Sequence, residues 1–309
     1  HLTQVTGRKV DIGLALGGGS ARGWAHIGII QALTEAGIEP TVVTGCSIGS
    51  IVGASYVAGN LKRLEDWVTS LSRFDVARFY EQRMSLNGFV DADKLKEFMV
   101  RNVCAENQSI GDLEKLYACV STDLDTGKEV WFTEGPVLDS VLASIALPGL
   151  FAPVHDRGRW LVDGGLVNPV PVSLCHALGA DVVIGVNLNG DVVGKHRKML
   201  PAEKKAAENG TLDKLLDSIK GYSGNWFSPE ESASDPPSLF DSIAGSINII
   251  QDRITRSRMA GDPPDVLLNP QLAHIGLLEF HRASEAVAEG RDCVARMMPE
   301  IEHVLRRYR

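Results

Sequence analysis

The chain has 309 residues, 44% of them hydrophobic and 23% charged, a composition that supports a sizeable buried core and excludes disordered, collagenous and coiled-coil classes. With 31 Lys and Arg against 39 Asp and Glu the formal charge is −8, opposite in sign to that of a protein that neutralises phosphates, so no nucleic acid is expected as a partner. The same charge argues against electrostatic docking on anionic lipid and leaves open an apolar, peripheral contact with a membrane.

Five cysteines (Cys46, Cys104, Cys119, Cys175, Cys293) are odd in number, far apart and without the close pairs of zinc or redox motifs, and they read as reduced thiols in a cytoplasmic setting. The first residues carry no basic segment followed by an apolar run, and no stretch of about 18 apolar residues occurs, so neither a leader nor a membrane span is expected.

In chain order, residues 11–17 form a short apolar strand that ends in Gly17, Gly18 and Gly19, followed by a helix over 24–36 and a second strand over 41–45. Gly45-Cys-Ser-Ile-Gly49 then leads into a small-residue helix over 51–58. Surface helices are predicted over 61–71 and 91–103, and residues 74–89 read as an irregular loop with apolar anchors. Alternation over 117–122 and 129–133 around Asp125-Thr-Gly-Lys128 predicts a hairpin. A helix over 137–147 stops at Pro148-Gly149, a strand over 159–162 runs into Asp163-Gly164-Gly165, a helix ends at Gly179, and 181–188 is the last core strand. Residues 190–237 turn to Lys, Glu, Ser, Gly and Pro and read as a mobile insertion. Helices over 242–259 and 282–308 bracket a strand at 266–268. Alternating strands and helices imply an α/β fold, a mostly parallel central sheet with helices on both faces, in a single domain spanning 1–309.

In such a sheet, ligands bind beyond the carboxyl ends of strands, and three loops at that edge carry unusual residues: 17–23, 45–49 and 163–165. A Ser between glycines on a strand-to-helix turn is a nucleophile elbow, which makes Ser47 the candidate nucleophile. An α/β-hydrolase needs Ser, acid and His in that order. His176, His196, His274, His281 and His303 all follow Asp163, yet one lies inside a helix, one in the insertion and three in a C-terminal region without a loop signature. His26, in the first helix, reads as structural. A desolvated carboxylate can take the Ser proton instead, and Asp163 at the end of an apolar strand is the candidate; the alternative is an Asp that caps its own turn.

The loop Gly17-Gly-Gly-Ser-Ala-Arg-Gly23 fails as a dinucleotide fingerprint, because the last glycine is one residue late and no acid ends the second strand. It fits better as an oxyanion hole of successive backbone N–H groups, with Gly17, Gly18, Gly19 and Ser20 as candidates. Arg22 either positions this loop, meets an anionic head group or is an exposed residue at a helix start.

Together, a G-G-G-x-A-R-G loop after the first strand, G-x-S-x-G after the second and D-G-G about a hundred residues on resemble the patatin-like phospholipases. The likeness continues in Ser144-Ile-Ala-Leu-Pro-Gly149, Val162-Asp-Gly-Gly-Leu-Val-Asn-Pro-Val-Pro171 and Arg258-Met-Ala-Gly-Asp-Pro-Pro264, and it looks most like the bacterial RssA-type branch. The resemblance implies a three-layer fold and a Ser47–Asp163 dyad with oxyanion donors at Gly18 and Gly19, helped by Gly17 or Ser20. It also implies hydrolysis of lipid or other acyl esters; the acidic runs lack a calcium loop, so no metal or other cofactor is expected. Many members carry Gly where this chain has Ser20. A non-catalytic or gated regulatory protein on the same fold is the alternative that the sequence leaves standing.

Overall fold

The computed structural model describes residues 9–83, 90–191 and 239–308. The insertion read over 190–237 therefore lies, but for its first two residues, outside the described part of the chain.

The first strand shows how the layers arise. In β1 (Ile12–Leu16) the large side chains Ile12, Leu14 and Leu16 alternate with Gly13 and Ala15, and a strand presents alternate residues to opposite faces. The large ones join the main core with helices α1 (Ala25–Glu35) and α2 (Ile48–Val57). The small ones let α7 (Val172–Ala177) approach the other face, where a Cβ on Gly13 would lie 3.2 Å from that of Cys175. A three-layer α/β sandwich results, as expected from the sequence.

Strands β2 (Val42–Cys46), β3 (Leu116–Asp123), β7 (Val182–Val186) and β8 (Val266–Leu268) extend the sheet in parallel, in the order β3-β2-β1-β7-β8. Three strands join β3 or its neighbour antiparallel: β4 (Glu129–Phe132), β5 (Val154–Asp156) and β6 (Arg159–Asp163). Helices α3 (Leu61–Ser70), α4 (Arg73–Arg83), α5 (Ala92–Asn102) and α6 (Val137–Ser144) lie between the second and fifth strands in sequence. Of these, α6 packs on α2, β3 and β6. The long helix α8 (Leu239–Gly261) and the C-terminal α9 (Ala283–Leu305) complete the described chain.

The elements follow the sequence reading with two exceptions. Residues expected as an irregular stretch from 74 onward begin with helix α4. Val76 and Ala77 are buried and Phe79 half-buried, whereas Phe74 is 50% exposed, so the apolar residues over 74–79 do not share one buried face. Residues 84–89 of that stretch are outside the described chain. The three-residue strand β5 was not anticipated; it pairs with β6, and its Val154 packs on Val130, Ala143 and Leu161.

Candidate active site

The strand β3 brings two distant segments together. Its Val120 pairs with Cys46, the last residue of β2, and the next residue, Ser121, pairs with Asp163, the last residue of β6. The residue after β2 is Ser47, so a 116-residue separation in sequence closes to neighbouring positions on one strand. Side chains of β3 fix the β6 end: Ser121 Oγ donates to Val162 O at 2.6 Å and Thr122 Oγ1 to Asp163 O at 2.8 Å. Gly164 follows because a Cβ there would overlap the Val120 carbonyl.

Ser47 adopts φ 53° and ψ −123°, a conformation costing about 1–3 kcal/mol for a non-glycine residue. Its neighbours make that possible by absence of bulk: a Cβ on Gly49 would overlap the Leu16 carbonyl, and one on Gly45 would lie 2.5 Å from Ser50 Cα. The strain therefore sits on the serine, while the glycines supply room. The turn is held by Ser47 N donating to Ser144 Oγ at 2.9 Å and by Ser50 Oγ donating to Ser47 O at 2.6 Å. Ser144 has a place in the sequence reading only as part of a motif; its contact with the elbow comes from the packing of α6 on α2.

The Ser47 side chain lies beside the Asp163 carboxyl, near enough to influence its ionisation. Asp163 is buried, and loss of hydration pushes its carboxyl up to about 6, although the Ser47 hydroxyl and the Gly165 N–H both pull it back down. Asp163 Oδ1 accepts from Gly165 N at 2.7 Å. Asp163 thus caps its own turn, the alternative that the sequence offered, and does so beside Ser47. The buried Cys46 thiol lies 4.0 Å from the same oxygen, and burial with the nearby Asp163 charge keeps it protonated.

Of the expected oxyanion donors, two are already engaged. Gly17 N donates to Val186 O and Gly18 N to Pro169 O, both at 3.1 Å, which removes them as free donors and corrects the expectation. Gly19 and Ser20 open a 3-10 turn (Ser20–Trp24), where the first N–H groups have no partner within the turn, and their N–H groups make no backbone hydrogen bond among the described residues. Ser20 has φ 51°, in the left-handed region that favours glycine. Gly18 sits beside the elbow: a Cβ there would be 3.5 Å from Ser47 Cβ.

Arg22 is not at the surface. It is completely buried, its Nε donates to Ile275 O at 2.8 Å, and burial lowers it to about 10 against the attraction of Asp191 and Glu279. A side chain so enclosed ties the glycine loop to the segment before α9 and does not reach a head group, which corrects that reading. His26, also fully buried, contacts Gly17 O through Nε2 at 2.8 Å, and burial lowers it to about 4. The ring is therefore neutral near pH 7 and donates through Nε2 to that carbonyl. His176 and Asp262 lie 3.5 Å apart on α7 and just beyond α8, and His274 and Glu285 lie 3.6 Å apart near the start of α9; neither pair includes Ser47. His196 lies outside the described residues.

An apolar cavity of about 120 Å³ opens on Ser47. Ile48 and Ile51 of α2 form one wall, and Trp67, Phe79 and Phe98 from α3, α4 and α5 form another, with Phe280 beside them. Trp67 and Phe98 pack at a tilt with ring centroids 4.3 Å apart, and Phe79 meets Phe98 edge-on at 6.0 Å. Among the described residues, Ser20 and Ser47 are the two hydroxyl-bearing members of a lining otherwise made of aliphatic and aromatic side chains. Among the described residues no group of three or more His, Cys, Asp or Glu is placed to hold a metal ion, and no helix is long and apolar enough to cross a membrane.

The fold and this site define an α/β protein with a strained serine elbow and a buried carboxylate at the same end of its sheet. The family model described as patatin-like phospholipase matches residues 14–176, a segment that contains both groups and the glycine loop, and the chain belongs to that family. An NTE family protein of Mycobacterium tuberculosis is 33% identical over 94% of this chain and 92% of its own length. The lysophospholipase NTE1 of Coccidioides immitis is 29% identical over 91% of this chain, a match that spans 17% of that much longer protein. Among solved structures, VipD from Legionella pneumophila aligns over 99% of this chain and 81% of its own at 12% identity and a TM-score of 0.37. These sequence relatives bear the NTE family name, where the sequence reading favoured the RssA-type branch.

Proposed function

We propose that the protein is a serine acyl-ester hydrolase acting on lipids, with Ser47 as nucleophile, Asp163 as general base and the N–H groups of Gly19 and Ser20 as oxyanion donors. The observation that carries this reading is the Ser47 side chain beside a buried carboxylate and at the wall of an apolar cavity. Membership of the patatin-like phospholipases and similarity to proteins named lysophospholipases support a lipid substrate.

Ser47 Oγ attacks the ester carbonyl as its proton passes to Asp163. The oxygen that becomes negative is met by the Gly19 and Ser20 N–H groups at the start of their turn. Collapse expels the alcohol, which takes the proton from Asp163 and leaves an acyl-Ser47 ester. A water molecule, deprotonated by Asp163, then attacks that ester, and the fatty acid departs as Ser47 regains its proton. The acyl chain is assigned to the cavity between α2 and the aromatic wall, where no charged side chain among the described residues lines the path and the hydrophobic effect favours a hydrocarbon. The single patatin-like domain with its insertion at 190–237 is part of this proposal, as is a reducing, cytoplasmic setting, which the five free and buried cysteines support.

Labelling with a fluorophosphonate ester followed by peptide mapping tests the nucleophile. The expected adduct is on Ser47 and is lost in Ser47→Ala; an intact wild-type protein that takes no label overturns the proposal. The base is tested by pH. Its carboxyl must be ionised to accept a proton, so kcat/KM on a neutral acyl ester is expected to rise with pH through an apparent pKa of about 6 and reach a plateau near neutrality. A profile that is flat between pH 4.5 and 8 contradicts the assignment of Asp163.

A further inference from the structure

The glycine loop can be followed one peptide plane at a time. The Gly17–Gly18 plane is held at both ends: its carbonyl accepts from His26 Nε2 at 2.8 Å and its N–H donates to Pro169 O at 3.1 Å. In the next plane the Gly18 carbonyl accepts from Asn189 Nδ2 at 3.4 Å, and the opposite end is the Gly19 N–H. In the third, the Gly19 carbonyl accepts from Arg22 N at 3.2 Å, and the opposite end is the Ser20 N–H. Because a peptide unit is planar, holding its oxygen sets the direction of its N–H.

Asn189 is the one side chain in this series that belongs to a segment remote from the loop. It follows β7, 171 residues from Gly18, and is 4% exposed. Its own N–H donates to Asn187 Oδ1 at 3.1 Å, which fixes the backbone from which the side chain extends. Turning the carboxamide over would set its oxygen against the Gly18 carbonyl, two acceptors with no proton between them, so Nδ2 is the atom that faces the loop. Its Oδ1 is buried without a hydrogen-bond partner among the described residues. A buried polar group in that state is retained at a cost, which the other end of the carboxamide offsets by acting on the loop.

We propose that Asn189 is a positioning residue of the oxyanion loop: its carboxamide holds the Gly18–Gly19 peptide so that the Gly19 N–H is aimed at the oxygen that becomes negative. The inference rests on the reading of Gly19 and Ser20 as oxyanion donors. A donor on the carbonyl also polarises the peptide, which strengthens the N–H at its other end. Asn189 acts through Gly19 and touches no reacting atom.

The test compares wild type with Asn189→Leu, which keeps the volume but has no donor, and with Asn189→Ala. Steady-state kinetics on a p-nitrophenyl acyl ester, the rate of fluorophosphonate labelling of Ser47, and thermal melting are measured for each. Removing an oxyanion donor outright lowers kcat by about 10²–10³-fold, so loosening one is expected to lower kcat and the labelling rate by about 10–100-fold. KM should stay within about twofold, and the pH midpoint near 6 should not move, because Asp163 keeps its surroundings. Unchanged rates, a change confined to KM, a displaced pH midpoint, or losses that track a collapse of thermal melting in both variants each overturn the inference. A wild type that takes no label overturns the hydrolase reading and this inference together, whereas a labelled wild type with unaffected variants overturns this inference alone.

Discussion

Asp163→Asn is expected to lower kcat/KM on an acyl ester by about 10³-fold and, at pH 8, to make the protein more stable. The activity loss is that of a general base, a contribution typically worth about 10²–10⁴-fold. The stability gain follows from the same burial that suits the carboxyl to its task. In the folded protein its pKa is raised from 3.8 to about 6, so the native state holds a proton that the unfolded chain releases. Stability from this group is fully present below pH 3.8 and is lost as pH rises through 6; above that, keeping the carboxylate buried costs about 3 kcal/mol. Asn carries no charge, and its Oδ1 can still accept from Gly165 N, the bond Asp163 makes at 2.7 Å. Thermal melting at pH 8 should therefore place the variant above wild type, and at pH 4 the two should nearly coincide. A variant that melts below wild type at both values would show that the carboxylate holds the fold and is not strained by it.

Gly28→Ala is expected to destabilise the protein by about 2–3 kcal/mol, although alanine is ordinarily the better helix former by about 1 kcal/mol. Gly28 lies in α1 and Gly290 in α9, and the two helices approach through these positions. A Cβ on Gly28 would overlap the Val287 carbonyl oxygen, and one on Gly290 the Ala25 carbonyl oxygen. The obstacle is backbone on both sides, so no side-chain rotation relieves it, and the helices must move apart in a core packed to crystal-like density. Gly290→Ala should behave alike, and the double variant should cost less than the sum, since one separation of the helices serves both. Gly37→Ala is the control: nothing lies within 4 Å of its Cβ, and only the strain of its φ of +77° remains. Denaturant melts read all four. A Gly28→Ala protein as stable as wild type would show that the α1–α9 interface yields.

Much of this architecture is legible in the order of residues because its signals are local. A short apolar run closed by glycines marks β1, alternation around a turn marks β3 and β4, and Val266-Leu-Leu268 forms a strand over the very residues expected. Helix α4 escaped because over residues 73–79 an exposed Phe74 is followed by Val76 and Ala77 buried side by side, which breaks the helical period of its apolar residues. Its burial is decided by the cavity and by the elements around it. Arg22 escaped for a related reason. Buried arginines are rare, and what makes this one tolerable is the Ile275 carbonyl, 253 residues away, with Asp191 and Glu279 nearby.

The sequence by itself determined the fold class, the family, and which serine and which aspartate stand out, because glycine loops, elbows and strand ends are written in contiguous residues. Only the tertiary structure decided what those groups experience. Pairing Val120 with Cys46 and Ser121 with Asp163 closes a gap of more than a hundred residues. Burial raises the carboxyl to about 6. Carbonyls at Val186 and Pro169 take up the N–H groups of Gly17 and Gly18, while those of Gly19 and Ser20 make no backbone hydrogen bond among the described residues. Desolvation and hydrogen-bond occupancy depend on which distant segments arrive at a site, and a linear chain specifies those arrivals only by folding.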